Sequence, residues 1–383
     1  MTEGVTEITF GGTMRSKKPL GVAALAAFTC AAALVAAPAA AEAPKAKEVP
    51  AKVTVITKGL DGPRELSSTS GRFYVAESDS GEITGVNKKS GAQTLEVKNI
   101  FTPQGVFKTG GKFYILSGAA EPDATPPPPA GAGSKLLVAK SGNTAKTFAN
   151  LLAYELRHNP DNQTQFLPDG TAPDSLSNPF YLTKNKWPGG FLLVADGGAN
   201  DVLKVNKKGR TSTFFVPPAI TSGDCAKQEQ NDDQFGNSCD AVPTGLAFGP
   251  DGNLYISALT SEVAGQGRVY VVNRYGKLLR TLTGFSAPTG VAVAPGGTIY
   301  VSELLQGAPE GNDPPPPGFD PAEVGQIVKV AKDGSRTYAQ VTMPSGLLWT
   351  DGKLYASAWS VASFLNIPKA GQIVSVDPSS FVK

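Results

Sequence analysis

A stretch of about fifteen residues returns six times along this chain, and that repetition constrains the fold more than any other feature. Pro243-Thr244-Gly245-LAFGPDGNLYIS is followed by Pro288-Thr289-Gly290-VAVAPGGTIYVS and by Pro344-Ser345-Gly346-LLWTDGKLYAS. Looser copies begin at Pro63-Arg64-Glu65, Pro103-Gln104-Gly105 and Pro179-Phe180-Tyr181. Each copy reads as two short strands around a turn whose Asp-Gly or Gly-Gly pair tolerates positive φ. A third alternating strand follows each copy, as in GRVYVVNRYG and GQIVKVAKDG, and a fourth follows the first five: AQTLEVKNI, AKTFANLL, RTSTFFVP, LLRTLTGF and SRTYAQVT.

The sixth copy ends after its third strand. The strand it lacks stands at the other end of the chain, KVTVITKGL at 52–60, directly ahead of the first copy. Four strands per unit, with little helical periodicity, predict an all-β, six-bladed β-propeller whose N-terminal strand completes the last blade and removes the open sheet edges. A β-sandwich is the rival architecture, and six four-stranded repeats are too many for one sandwich.

Ahead of the repeats, Arg15, Lys17 and Lys18 precede an apolar run from Leu20 to Val35 and the small-residue site Ala39-Ala40-Ala41. This is the pattern of a secretory signal peptide cut before Glu42, with translation starting as late as Met14. The expected organisation is a signal peptide at 1–41, a linker at 42–51 and the propeller at 52–383. The residues before Cys30 make a poor lipobox, so that cysteine is expected to leave with the signal. Cys225 and Cys239, in a polar loop of an exported chain, are expected to form a disulfide. With 35 Lys and Arg against 33 Asp and Glu, the chain is nearly neutral, which gives no electrostatic case for nucleic acid or an anionic membrane. A monomer with no membrane insertion after signal cleavage is expected. One histidine, His158, excludes a two-histidine metal motif and makes a poor triad base.

Loops entering the innermost strand and loops joining strands two and three emerge on one face of a propeller. All the long insertions fall in this set: 118–133, 154–174, 218–240, 259–266, 305–323 and 359–370. A rigid scaffold with long loops on one side places binding there. Two of the loops carry four-proline runs, at 126–129 and 314–317, readable as solvated spacers or as walls flanking the channel mouth.

The residue after each strand-one proline is expected at the mouth: Arg64, Gln104, Phe180, Thr244, Thr289 and Ser345. Glu65 and Asn178 lie beside this ring. Glu77, Asp196 and Glu303 end strand two in alternate blades, with Asp201 nearby. Three carboxylates converging on the axis would suit a hard cation such as Ca²⁺ or acid–base work; the alternative is solvation or pairing with Arg64.

Asp174-Ser-Leu-Ser-Asn-Pro-Phe180, Val194-Ala-Asp-Gly-Gly-Ala-Asn-Asp-Val202 and Val242-Pro-Thr-Gly-Leu-Ala-Phe-Gly-Pro-Asp-Gly252 resemble the ScyD/ScyE family of secreted bacterial propellers. The loop before Pro179 has one residue more than the familiar form. The resemblance implies a propeller and export, and no settled activity. More distantly the repeats are similar to NHL-type and SMP-30/gluconolactonase propellers. The latter hold a divalent metal at the mouth with Glu, Asn and Asp, for which Glu65 or Glu77, Asn178 and Asp196 are the loose equivalents. A G-x-S-x-G elbow, a P-loop and a Rossmann fingerprint are absent from the sequence. Two functions follow: a non-catalytic binding or scaffold protein that takes a small molecule, a glycan or a protein on the long-loop face, or a divalent-metal-dependent lactonase, hydrolase or lyase built on Glu77, Asp196 and Glu303.

Overall fold

The computed structural model describes residues 53–120, 128–228, 236–309 and 317–383. The segments read above as signal peptide and linker, half of the first proline run and all but the last residue of the second lie outside the described residues.

The strands form six antiparallel four-stranded sheets. Blade one is β2 (Pro63–Thr69), β3 (Arg72–Glu77), β4 (Glu82–Asn87) and β5 (Gln93–Val97). Blade two is β6 (Pro103–Thr109), β7 (Lys112–Ser117), β8 (Lys135–Ala139) and β9 (Lys146–Asn150). Blade three is β10 (Pro179–Lys184), β11 (Leu192–Asp196), β12 (Asp201–Val205) and β13 (Thr211–Phe215). Blade four is β14 (Pro243–Phe248), β15 (Leu254–Ala258), β16 (Gly267–Val272) and β17 (Leu278–Phe285). Blade five is β18 (Pro288–Val293), β19 (Ile299–Glu303), β20 (Gln326–Val330) and β21 (Arg336–Gln340). Blade six runs β22 (Leu347–Thr350), β23 (Lys353–Ala358), β24 (Gly371–Val376) and then the N-terminal β1 (Val53–Leu60). β1 pairs antiparallel with β24, Val53 against Val376 and Leu60 against Gly371. The six-bladed propeller closed by its own first strand is therefore the fold of this chain.

Burial explains the composition of each strand. The first two strands of a blade are covered on both faces, so β18 (PTGVAV) and β19 (IYVSE) are buried throughout. The outermost strands keep one wet face, and in β1 only Thr57 and Leu60 are fully buried. Six apolar clusters lie one at each joint between neighbouring blades. The closing joint joins Leu60, Tyr355 and Ile373 of blade six to Leu66, Phe73, Val75 and Val86 of blade one.

One element departs from the sequence reading. The fourth strand of blade two stops at Asn150, and Leu151–His158 is a two-turn helix, α1. The Asn150 side chain accepts a hydrogen bond from Ala153 N–H, an N-cap that ends the strand and begins the helix. Leu151 is buried in the joint between blades two and three, so it serves the core from a helix rather than from a strand.

Cys225 and Cys239 are disulfide-bonded with Cα atoms 5.0 Å apart. Cys225 sits on a short 3₁₀ turn (Gly223–Lys227), and Cys239 pairs backbone to backbone with Ile220. Both sulfurs are buried in the joint between blades three and four, so the bridge ties a polar loop to the core. Cys225→Ala/Cys239→Ala is expected to lose about 3 kcal/mol of stability in the chain-entropy account of a fourteen-residue closure. Denaturant unfolding checks this, and an unchanged midpoint would assign the bridge no stabilising role.

Candidate functional site

The ends of the inner strands meet at the axis, and glycine decides how closely. A Cβ on Gly290 would lie 2.3 Å from the Ser345 carbonyl oxygen, and one on Gly346 would lie 2.6 Å from that of Arg64. The glycine of the Pro-x-Gly repeat thus admits the next blade's backbone. Blades one and three carry Glu65 and Tyr181 at this position, and both side chains cross the axis. Glu65 lies over Gly105 of blade two, where a Cβ would be 2.3 Å from Oε2, and accepts a 3.0 Å hydrogen bond from Leu182 N–H of blade three. The Tyr181 hydroxyl donates to the Leu347 carbonyl of blade six at 3.1 Å. Burial raises the Glu65 carboxyl well above the ordinary range and also raises the Tyr181 phenol, with the Glu65 charge adding to the latter. Together they fill the centre of the ring.

The six residues after the strand-one prolines are all buried and do three different things. Thr244 and Thr289 are staples between blades. Thr244 Oγ1 donates to the Pro288 carbonyl at 2.9 Å, and Thr289 Oγ1 to the Pro344 carbonyl at 3.2 Å. Phe180 is apolar packing. On the three consecutive blades six, one and two the polar atoms have no partner in the protein: Ser345 Oγ, Arg64 Nε and Nη1, and Gln104 Oε1. Burial lowers the Arg64 pKa, and the exposed Asp79 carboxylate offsets part of that; the guanidinium stays charged. Asn178 reaches the same region. Its Oδ1 accepts from Ala119 N–H at 3.0 Å, and it meets Gln104 over Gly118.

Glu77, Asp196 and Glu303 do not converge. Among the described residues no three of His, Cys, Asp and Glu come close enough to hold a metal ion. Each of the three carboxylates instead latches the loop entering its own blade. Glu77 accepts from Asp61 N–H at 2.7 Å, Asp196 from Asn178 N–H at 2.6 Å, and Glu303 from Ser286 N–H at 2.8 Å. In blade two Ser117 performs the same task in the opposite sense, donating to the Phe101 carbonyl at 2.6 Å. The expected ring of carboxylates is corrected to four local latches because these side chains turn back toward their own loops. Burial raises all three carboxyls, Asp196 to about 6 and Glu303 to about 7.

A second polar cluster, not anticipated as a unit, lies at the edge of blade three. Glu155 on α1 and Asp201 at the start of β12 are buried, as is Asp196. Burial raises Asp201, with Asp196, Glu155 and Asp161 adding to it; burial and Asp161 raise Glu155 to about 8. The density of acids in 155–174 is the sequence signal that marks this place, and α1 brings Glu155 back to the sheet.

No protein-family model and no curated protein matches the sequence. Solved structures do. A gluconolactonase from Xanthomonas campestris is 11% identical over 85% of this chain and 90% of its own, with a TM-score of 0.52. A luciferin-regenerating enzyme is 8% identical over 87% of this chain and 97% of its own, at 0.51. A streptogramin B lyase is 14% identical over 85% and 97%, at 0.49. The likeness to the first two is one of propeller fold, and at identities this low activity is left to the site itself.

The latches have a pH signature. A carboxyl raised on folding stabilises the native state below its unfolded pKa, and that contribution is lost as pH rises through the folded value. For Glu303 the window runs from the ordinary carboxylate range to about 7. The protein is expected to melt at a lower temperature at pH 8 than at pH 5, with a smaller difference in Glu303→Gln, whose amide keeps the Ser286 bond while Gln326 reorients. Thermal unfolding across that range is the measurement; a melting temperature that climbs with pH would contradict the assignment.

Proposed function

We propose that this chain is an exported binding propeller that takes a small ligand bearing a carboxylate or similar oxyanion at its axial mouth. The observation that carries this reading is the run of unpartnered buried polar atoms on Ser345, Arg64 and Gln104. A buried donor or acceptor left unmade costs on the order of 1–3 kcal/mol, and more when charged, so such atoms mark a place that a ligand or ordered water completes. A guanidinium with two unpartnered nitrogens suits an oxyanion, while the hydroxyl and amide oxygen suit the hydroxyls of an oxygen-rich molecule such as a sugar acid. Glu65 and Tyr181, held by hydrogen bonds across the axis, form the floor. The long loops supply the rim.

Export is supported by the basic and apolar N-terminal segment and by the disulfide. Among the described residues no helix is long and apolar enough to cross a membrane. The ScyD/ScyE resemblance agrees with export and assigns no activity.

The second reading, a lactonase or lyase, uses the same place. Arg64 would then stabilise an oxyanion developing on the substrate. Its metal would need donors other than Glu77, Asp196 and Glu303, which are committed to backbone N–H groups.

Calorimetric titration with gluconate, glucuronate and neutral glucose tests the proposal. The two acids are expected to bind and glucose to bind at least tenfold more weakly. Arg64→Met, which keeps the aliphatic packing, is expected to weaken acid binding tenfold or more. Equal binding by the variant, or no binding of either acid, would overturn the reading. Turnover of glucono-δ-lactone that falls with Arg64→Met would select the enzymatic alternative.

A further inference from the structure

We infer that blade three carries a divalent-cation site, suited to Ca²⁺, built from Asp201, Glu155 and Asn159 and separate from the axial mouth.

The inference starts from an excess of acceptors. Both carboxylate oxygens of Asp201, Glu155 Oε2 and Asn159 Oδ1 are buried and have no hydrogen-bond partner. All four are oxygens, and none can donate when the acids are ionised. Asp201 is wholly inaccessible, and the carboxylates of Asp196, Glu155 and Asp161 act on it electrostatically. Neither Asp201 nor Glu155 has a Lys or Arg partner among the described residues. Unpaired buried oxygens suit a hard cation, whose binding would release the protons that burial holds on these acids, and carboxylate and amide oxygens at about 2.3–2.6 Å are its usual ligands.

Asp201 and Glu155 are close enough to interact electrostatically, and Asn159 caps the helix that carries Glu155. Glu155 and Asn159 are one helical turn apart at the end of α1, and Asn159, in the left-handed conformation, donates its N–H to the Glu155 carbonyl. The loop that follows is held by the same residues. Asn159 Nδ2 donates to the Gln163 carbonyl at 2.8 Å, and Gln165 Nε2 donates to the Glu155 carbonyl at 2.8 Å and to Oε1 at 3.2 Å. These bonds occupy one oxygen of Glu155 and leave the other free. Asp201 opens β12 and pairs in register with Asp196, whose own oxygens are taken by Ser177 Oγ and by the Asn178 and Ala199 N–H groups. Asp196 thus orders the loop, and Asp201 remains for the ion. Residues 161–166 alternate between half-buried and exposed, which puts solvent beside this segment. Three His, Cys, Asp or Glu side chains do not converge here, so two carboxylates and the Asn159 amide would supply the protein ligands and water the rest.

The test uses the full mature chain, stripped with EDTA and dialysed, with CaCl₂ as probe. Equilibrium dialysis is expected to find one Ca²⁺ per chain, and Ca²⁺ is expected to raise the melting temperature by several degrees. Asp201→Asn, nearly isosteric and relieved of buried charge, is expected to melt above the stripped wild type and to be indifferent to Ca²⁺. Glu155→Gln serves as the second variant and is expected to weaken Ca²⁺ binding at least tenfold. Absence of Ca²⁺ binding by the wild type, or full binding by both folded variants, would overturn the proposal. The outcome is independent of the axial site, because Arg64→Met is expected to keep its Ca²⁺ response.

Discussion

Everything in this molecule depends on six inner strands approaching one axis. The approach is set by backbone against backbone. Gly290 and Gly346 leave no room for a β-carbon beside the carbonyls of Ser345 and Arg64, and Gly245 lies equally close to Gly290 and the Thr289 carbonyl. That contact fixes the spacing of the blades, the blade spacing fixes the six apolar joints, and the joints hold the sheets. Glycine here serves close packing rather than conformational freedom. The two blades that give up this glycine, one and three, are the ones that send Glu65 and Tyr181 across the centre.

The same repeat position is used for structure on one side of the ring and left open on the other. Thr244 and Thr289 each close a bond to the next blade, so blades four and five are stapled. Ser345, Arg64 and Gln104 make no such bond with their buried Oγ, Nε and Nη1, and Oε1 atoms. The asymmetry of the mouth therefore comes from which residue occupies one register position of a symmetric scaffold: threonine staples there, while Ser345, Arg64 and Gln104 do not.

The strands were legible because each blade repeats its turn residues and its alternation, and the closing strand was legible because the sixth copy lacked one. The disulfide was legible from a polar loop with two cysteines. The helix α1 was hidden because Asn150 and Leu151-Leu152 continue the apolar pattern of β9, and only the N-cap bond changes the element. The carboxylate ring was misread for a related reason. Position along a strand places Glu77, Asp196 and Glu303 at the same height, but the torsions that turn each toward the N–H groups of its own loop leave no trace in the repeat. The blade-three acids were visible singly and not as a group, since α1, the loop after it and the strands β10 and β11 had to fold before they could meet.

The strand that completes the last blade is the first part of the propeller to be synthesised and the last to find its place. Val53 waits for Val376 until nearly the whole chain exists. During that interval β1 is an unpaired segment of alternating valine, threonine and isoleucine, with Val53 and Val55 exposed even in the finished ring. Segments of this kind seek any open sheet edge. The open edge of β24 is its proper partner within the chain and, in a crowded population of half-made molecules, equally that of a neighbour's β1. Ring closure thus gives the edge of β24 its partner in the assembled protein while making assembly sensitive to concentration, a burden carried by the order of synthesis and not by the native structure.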